Sequence, residues 1–194
     1  MLFYYPNRPI LVPPDPDQPL QPKPDYINSL EASGRLIAEQ KWNGDNVCIY
    51  TSGLEFFNRR GERHRYVPTP EVREELEKFP KNAILNAELV HYKTTTVKNM
   101  ILVHTLLAWN GKPLFGQTWG DARKRLEDQK FGVQVQLSPV WKSGFWKLFQ
   151  NADGAIIEGI VLKDPSGKIV ISASKIPDVS YMLKIRKPSK KYAF

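Results

Sequence analysis

The sequence predicts an α+β fold, antiparallel sheets with helices packed outside them, on three observations. Strand-like apolar runs follow one another directly from Leu36 to Phe57, separated only by short turns at Asn43-Gly44 and Ser52-Gly53. Helical stretches are few and stand apart from these runs, with no parallel βαβ succession and no internal repeat. The 194 residues, 41% hydrophobic and 11% aromatic, suffice for an ordinary core in one domain with at most a small appendage.

The elements follow in order. Residues 1–24 carry Pro6, Pro9, Pro13, Pro14, Pro16, Pro19, Pro22 and Pro24, which excludes a helix and predicts an extended arm. Its Leu2, Phe3, Tyr4, Tyr5, Ile10, Leu11 and Val12 are apolar enough to dock on the body, residues 25–194. Asp25 to Ser33 reads as a short helix stopped by Gly34. The three runs from Leu36 to Phe57 read as a meander. Thr69-Pro70-Glu71 opens a helix, with a capping hydroxyl, proline in the first helical position and acid in the first turn. Strands are predicted at Ala83 to Val90 and at Met100 to Trp109, the second ending at Asn110-Gly111. Thr118 or Gly120 opens a helix over Asp121 to Gln129, with Ala122, Arg125, Leu126 and Gln129 on one face. Val133 to Val140 alternates like a strand, and Phe145 to Asn151 reads as a helix. Ala155 to Leu162 and Ile169 to Ser174 flank Asp164-Pro165-Ser166-Gly167 as a hairpin.

A net charge of +8 favours a polyanionic partner over an acidic surface or a neutral small molecule. The one cysteine, Cys48, excludes an internal disulfide and any cysteine-built zinc site, and its place in an apolar run suits a small buried residue. No secretory or membrane-length apolar stretch occurs, and a soluble monomer acting in the cytoplasm, away from membranes, is expected.

Five segments carry the chemistry. Lys41-Trp42-Asn43-Gly44 puts an amine in a glycine-containing bend, where it could be held against a phosphate. By itself the tetrapeptide also makes an ordinary hairpin turn, since Asn-Gly favours positive φ. In order there follow Asn58-Arg59-Arg60-Gly61, Ala87-Glu88-Leu89-Val90, Ile157-Glu158-Gly159-Ile160-Val161-Leu162-Lys163 and Leu183-Lys184-Ile185-Arg186-Lys187. Taken singly, each has a plainer reading: a charged surface turn at Arg59 to Arg63, solvent-facing strand glutamates at Glu39 and Glu88, a hairpin-end lysine at Lys163, a solvated basic tail from Lys184 to Lys191. Five in this order are hard to obtain from turns alone.

With those residues in place, the stretch from about Leu36 to Pro188 resembles the covalent nucleotidyltransferases, and among them the adenylation domain of ATP-dependent DNA and RNA ligases. Lys41 to Gly44 is similar to the family's lysine-x-aspartate-glycine, with Asn43 in place of the aspartate. The resemblance makes Lys41 the nucleophile that attacks the α-phosphate of ATP and holds AMP as a phosphoramidate. A free lysine amine, with a pKa of about 10.4, is protonated at neutral pH, so nearby cations, Mg²⁺ (or Mn²⁺) and partial desolvation must favour the neutral form. Glu39, two residues before the lysine, inherits the reading of the adenine amino group.

Arg59 matches the arginine that binds ribose or phosphate, and its planar fork suits phosphate. Arg60 and Arg63 are then free for a nucleic-acid backbone. Glu88 matches a glutamate that meets ribose or a metal-bound water. Glu158 matches a glutamate that, within an apolar run, needs Mg²⁺ or Lys41 as counter-charge. Glu88 and Glu158 are thus the metal candidates. Lys163 is assigned to phosphate, and Lys184 and Arg186, alternate residues on one strand face, are assigned to the α-phosphate. His104 stands where ligases carry an adenine-stacking aromatic, and Thr105 where they carry an aspartate.

The resemblance implies nick sealing, with DNA as first choice of substrate and RNA as the alternative. Asn46, a further nucleotide-site candidate, stands where DNA ligases usually have arginine and some RNA ligases have asparagine. Larger ligases add a C-terminal OB-fold, for which these residues leave no room, so a minimal ligase or one catalytic domain is expected. The departures at Asn43 and Thr105 suit a different class, a nucleic-acid-binding module that has lost its chemistry. The carboxylates Glu88 and Glu158 oppose it, because a binding module needs positive charge and no buried glutamates.

Overall fold

The computed structural model describes residues 3–12, 22–170, 172 and 174–187. In chain order the elements are β1 (Arg8–Leu11), α1 (Pro24–Ala32), β2 (Ile37–Trp42), β3 (Asp45–Tyr50), β4 (Glu55–Asn58), α2 (Pro70–Glu77), β5 (Ile84–Val90), β6 (Met100–Trp109), β7 (Lys112–Pro113), α3 (Trp119–Glu127), β8 (Val135–Leu137), β9 (Val140–Trp141), α4 (Phe145–Gln150), β10 (Ile157–Lys163) and β11 (Asp178–Arg186). They form two compact units, one of residues 3–8, 44–138 and 166–178, the other of residues 9–43, 139–165 and 179–187 among those described.

The second unit is built on a five-stranded sheet of order β1-β11-β10-β2-β9. On one face Ala38, Ile160, Leu162 and Ile185 pack with Ile27 of α1 and with Phe145 and Phe149 of α4 in one buried cluster. Fully burying each of these large side chains stabilises the fold by about 1.5–3 kcal/mol. Glu31 of α1 accepts the Gly144 and Phe145 N–H groups at 2.7 and 2.8 Å, so a carboxylate supplied from outside α4 satisfies its first donors.

The first unit carries a six-stranded sheet in which β4-β3-β5-β6-β7 run in that order and β8 joins beside β6. Its core runs from Val47, Cys48 and Ile49 through Leu85, Ala87 and Leu89 to Ile101, Leu106, Leu107 and Leu126. Thr69 caps α2 by accepting from the Val72 N–H, and Thr118 caps α3 by accepting from the Asp121 N–H.

Most predicted elements stand where the sequence puts them, but four expectations change. The runs from Leu36 to Phe57 are not a meander: β3 pairs β4 and β5, whereas β2 pairs β9 and β10 in the other sheet. Asn43 donates its own N–H to the Ile156 carbonyl at 2.8 Å, so the chain is drawn toward β10's approach instead of folding back. Neither Asn43 nor Gly44 has positive φ. What Gly44 supplies is room, since a Cβ there would lie 2.6 Å from the Leu89 carbonyl oxygen.

The hairpin about Asp164-Pro165-Ser166-Gly167 is also absent. β10 takes β11 as its antiparallel partner, and Ile169 bonds its N–H to the Gln117 carbonyl while its side chain enters the other core. Positions 171 and 173 of that predicted strand lie outside the described residues. Within Val133 to Val140 the chain forms two short strands, β8 running parallel to β6 and β9 pairing β2, because Ser138 bonds its N–H to the Val103 carbonyl and ends the first ladder. On α3 the buried polar residue is Arg123, not Arg125, and Trp119 joins Ala122 and Leu126 on the covered face. Arg123 is tolerated there because its guanidinium donates to the Ser138 carbonyl at 2.7 Å and to Glu127 at 2.9 Å.

Of the proline-rich arm, residues 3–12 are extended and bonded to the body through β1 and a Tyr5–Ser172 bridge. Residues 13–21 and the basic tail past Lys187 lie outside the described residues. No helix among the described residues is long and apolar enough to cross a membrane.

Candidate active site

The face of the five-stranded sheet opposite the apolar core carries charge. Register sets Lys41 and Arg186 on either side of Gly159, and Glu39 and Lys184 on either side of Val161. Directly opposed residues in antiparallel strands share a face, and alternate residues return to it. Glu39, Lys41, Lys163, Lys184 and Arg186 therefore project to one side, as the period-two pattern of the sequence predicts for Lys184 and Arg186.

Glu158 should by alternation point the other way, yet it does not. The ladder to β2 shifts register between Ile157 and Gly159, leaving Glu158 as the extra residue of a bulge. Its carboxylate bonds the Lys41 ammonium, with side-chain exposures of only 18% and 16%, and Arg186 Nε lies 3.7 Å from the same oxygen. Gly159 makes the bulge possible: its φ is +152°, and a Cβ would fall 2.0 Å from the Ile185 carbonyl oxygen. The Glu-Gly of the motif is thus a backbone device as much as a charge.

Two rungs along, Lys163 Nζ and Glu39 Oε1 are 2.9 Å apart with both side chains almost wholly buried. A lysine and a glutamate rarely reach that depth except as a pair. The approach to β10 is fixed by Asp153, whose Oδ1 accepts the Ala155, Ile156 and Ile157 N–H groups at 2.8, 2.8 and 2.9 Å. Those bonds, the one from Ile157 first, hold its carboxyl below the usual carboxylate range. Asn43 joins the same segment, donating its side-chain amide to the Ala155 carbonyl at 2.7 Å.

The first unit gathers the remaining candidates. Glu88 accepts the Gly44 N–H at 3.0 Å. Asn86 donates to the Asn46 side-chain oxygen at 3.1 Å, and Asn46 Nδ2 lies 3.4 Å from His104 Nε2. His104 also occupies a bulge, the β5–β6 ladder shifting register between Asn86 and Ala87. Thr105, in the place of an aspartate, sits with the Trp119 indole N–H 3.3 Å from its hydroxyl. Arg59 lies exposed in the turn after β4, and Arg63 is drawn instead toward Glu55, at 3.6 Å.

Two residues that the sequence reading passes over belong here. Lys93 donates to the Gly44 carbonyl and lies 3.1 Å from Asp45, so that both polar groups of the Gly44 backbone are engaged, one by Glu88 and one by Lys93. Asn86 links Asn46 to the ladder. Neither signal is local, because each side chain answers a backbone group more than 35 residues away. His64, 3.6 Å from Asp45, is pushed down from its ordinary value by burial, which outweighs the aspartate's pull.

No cluster of three or more His, Cys, Asp or Glu suited to a metal ion occurs among the described residues. Glu88 and Glu158 are single carboxylates, the kind of hard oxygen donor that a Mg²⁺ ion would take together with water and a ligand's own oxygens.

Solved structures give the fold its class. The ligase domain of M. tuberculosis LigD superposes with a TM-score of 0.64 at 15% identity over 94% of this chain and 59% of that one. A Lig E DNA ligase, described as binding DNA with a minimal scaffold, gives 0.55 at 11% identity over 79% and 62%. The ATP-dependent DNA ligase of bacteriophage T7, in complex with ATP, gives 0.52 at 15% over 93% and 68%. The fold is that of the ligase-type nucleotidyltransferase domain. The chain spans about three fifths of the first two structures. No protein-family model matches the sequence, and no curated protein matches it either.

Proposed function

We propose that this protein is an ATP-dependent polynucleotide ligase that seals nicks through a lysyl-AMP intermediate, with nicked DNA as substrate. The observation that carries the reading is the Lys41–Glu158 pair, held by a glycine-dependent bulge on the one charged face of the sheet and flanked by Arg186. Lys41 Nζ attacks the α-phosphorus of ATP, the N–P bond forms, and the bond to the β-phosphate oxygen breaks as pyrophosphate leaves. Glu158 is the nearest acceptor for the proton the ammonium must lose. Arg186 and Lys184 offer fixed positive charge to the phosphate as negative charge builds on it. Glu39 reads the adenine amino group, Arg59 and Glu88 hold ribose or phosphate, and Asn46 and His104 border the base. Lys163 lies against Glu39 and serves as its counter-charge. Mg²⁺ (or Mn²⁺), held by Glu88 or Glu158 with nucleotide oxygens, would supply further charge neutralisation.

AMP then passes to the 5′-phosphate of the nick, freeing the lysine, and the 3′-hydroxyl displaces AMP to close the backbone. The +8 charge favours phosphate contacts that are salt-dependent and indifferent to sequence.

The test is incubation with α-labelled ATP and Mg²⁺ followed by denaturing electrophoresis, with Lys41→Ala as control and nicked DNA or nicked RNA as chase. Label on the wild type alone, discharged by nicked DNA, is the expected result. Discharge by RNA only would reassign the substrate. No label from ATP or GTP would overturn the enzyme and favour the binding module.

A further inference from the structure

The amino-terminal arm meets the turn that carries Arg59, and the contact is specific. Phe3 lies over Gly61, where a Cβ would come within 3.0 Å of its ring at a φ of +83°. The same ring packs edge-on to Tyr5 at 4.9 Å and lies 5.8 Å from Phe57 and 6.3 Å from Tyr50, measured between ring centroids. Tyr5 Oη donates to the Arg60 carbonyl at 3.4 Å. The arm is itself tied down: Tyr4 donates its N–H to the Tyr50 hydroxyl at 3.1 Å, and Tyr5 donates its N–H to the Ser172 carbonyl at 2.9 Å.

The turn does not depend on the arm for its local shape. Asn58 Oδ1 accepts the Arg60 and Glu62 N–H groups at 2.8 and 3.2 Å, Gly61 closes back on the Asn58 carbonyl at 3.0 Å, and the Asn58 amide donates to Glu62 at 2.7 Å. Those bonds define the loop's conformation, and its return leg is tied to β4 by the Asn58 N–H on the Glu62 carbonyl at 2.8 Å and the His64 N–H on the Phe56 carbonyl at 2.7 Å, which leaves the tip from Arg59 to Gly61 to be steadied by what packs on its outer side. Phe3 and Tyr5 are what packs there, Phe3 on Gly61, two residues after Arg59, and Tyr5 on Arg60, the residue immediately after it. Arg59's own side chain is exposed, so its aim depends on the aim of the loop backbone.

We infer that Phe3 and Tyr5 are positioning residues that fix the direction of Arg59 toward the nucleotide, making the amino-terminal arm part of the ATP-binding apparatus. The inference rests on the assignment of Arg59 to ribose or phosphate. A guanidinium displaced by an ångström loses most of a directional phosphate contact, whereas the fold, held by two cores, keeps its shape.

The experiment is a double-mutant cycle on ATP binding and lysine labelling with Phe3→Ala, Arg59→Ala and the pair, each checked by far-UV circular dichroism, with calorimetric Kd for ATP as a readout independent of labelling. Phe3→Ala is expected to raise the KM and Kd for ATP about 10-fold with kcat within about two-fold, to add nothing on the Arg59→Ala background, and to be rescued by Phe3→Tyr. Additive losses, or an unchanged Kd in folded Phe3→Ala, would overturn the role of the arm while leaving Arg59's assignment standing. An Arg59→Ala chain that binds ATP as the wild type does would overturn that assignment and the inference together. Should Phe3→Ala fail to fold, Tyr5→Phe removes only the hydroxyl. A two- to three-fold rise in Kd that vanishes on the Arg59→Ala background supports the inference, and no rise refutes it.

Discussion

Glu158 fills the extra position of a bulge in β10, and from there its carboxylate bonds the Lys41 ammonium across the ladder. In a regular strand it would have faced the apolar core with Ile160 and Leu162. Removing one member leaves the other charge in a site where each side chain is under one-fifth exposed. Glu158→Gln is expected to cut labelling by at least about 100-fold and to lower stability by about 1–3 kcal/mol, less than for a fully buried pair because some solvent reaches it. Lys41→Met with Glu158→Leu should regain most of the stability and none of the activity. Thermal melting of Glu158→Gln and of the double variant tests this, and a double variant as unstable as Glu158→Gln would contradict it.

By the resemblance Asn43 stands in the place of an aspartate, and its amide makes a bond that a carboxylate would not. Its Nδ2 donates to the Ala155 carbonyl, which a carboxylate cannot do. Asn43→Asp therefore sets an anion against a carbonyl oxygen and should cost about 1 kcal/mol of stability without raising the labelling rate. Melting and single-turnover labelling side by side would decide it. A faster Asn43→Asp enzyme would mean that the substitution is a loss the chain tolerates.

The strands and helices were legible because each rests on local signals: a threonine cap before Pro70, a glycine stop at Gly34, and the period-two alternation that brings Lys184 and Arg186 to one face. What local pattern cannot carry is the partner. The Asn-Gly after Lys41 has the composition of a hairpin turn, yet the bonds that decide its path come from Ile156 and Glu88. Glu158 and His104 both sit at register shifts, so simple alternation misplaces these two candidates. Lys163, assigned to phosphate by the resemblance, is buried on Glu39 across the β2–β10 ladder, a partner that no local pattern reveals.

Asp153 gives the site a pH dependence. Three N–H bonds depress its folded-state value below that of the unfolded chain, about 3.9, so its contribution is complete above that pH and is lost as pH falls through the folded value. Asp153→Ala should melt earlier than the wild type at pH 7, and the gap should close as pH falls below the unfolded-state value and through the folded one. A gap that persists unchanged in acid would show that the carboxylate's charge is not what holds the 153–157 segment.

Cys48 is fully buried, and burial pushes its thiol up to about 12, although the Asn86 amide pulls weakly the other way. The thiolate is the reactive form, so iodoacetamide at pH 8 should label the protein only in denaturant. Cys48→Ala should leave lysine labelling unchanged. Rapid alkylation of the native chain would show that the first sheet opens locally under native conditions.

The Glu39–Lys163 pair tests how much of the nucleotide site is also fold. Both side chains are at most 4% exposed and lie 2.9 Å apart, so their charges meet little water and depend strongly on each other. Lys163→Met abandons a carboxylate at that depth and should cost about 3–5 kcal/mol, a fall in Tm of roughly 6–20 °C for a chain of this size. Lys163→Arg keeps the charge but not the shape, and should recover part of the loss. If Glu39 reads the adenine amino group while Lys163 neutralises it, Glu39→Gln on the Lys163→Met background should restore stability and leave ATP weakly preferred over GTP in the labelling assay. A stable Lys163→Met enzyme with intact base preference but slow labelling would instead return Lys163 to the phosphates.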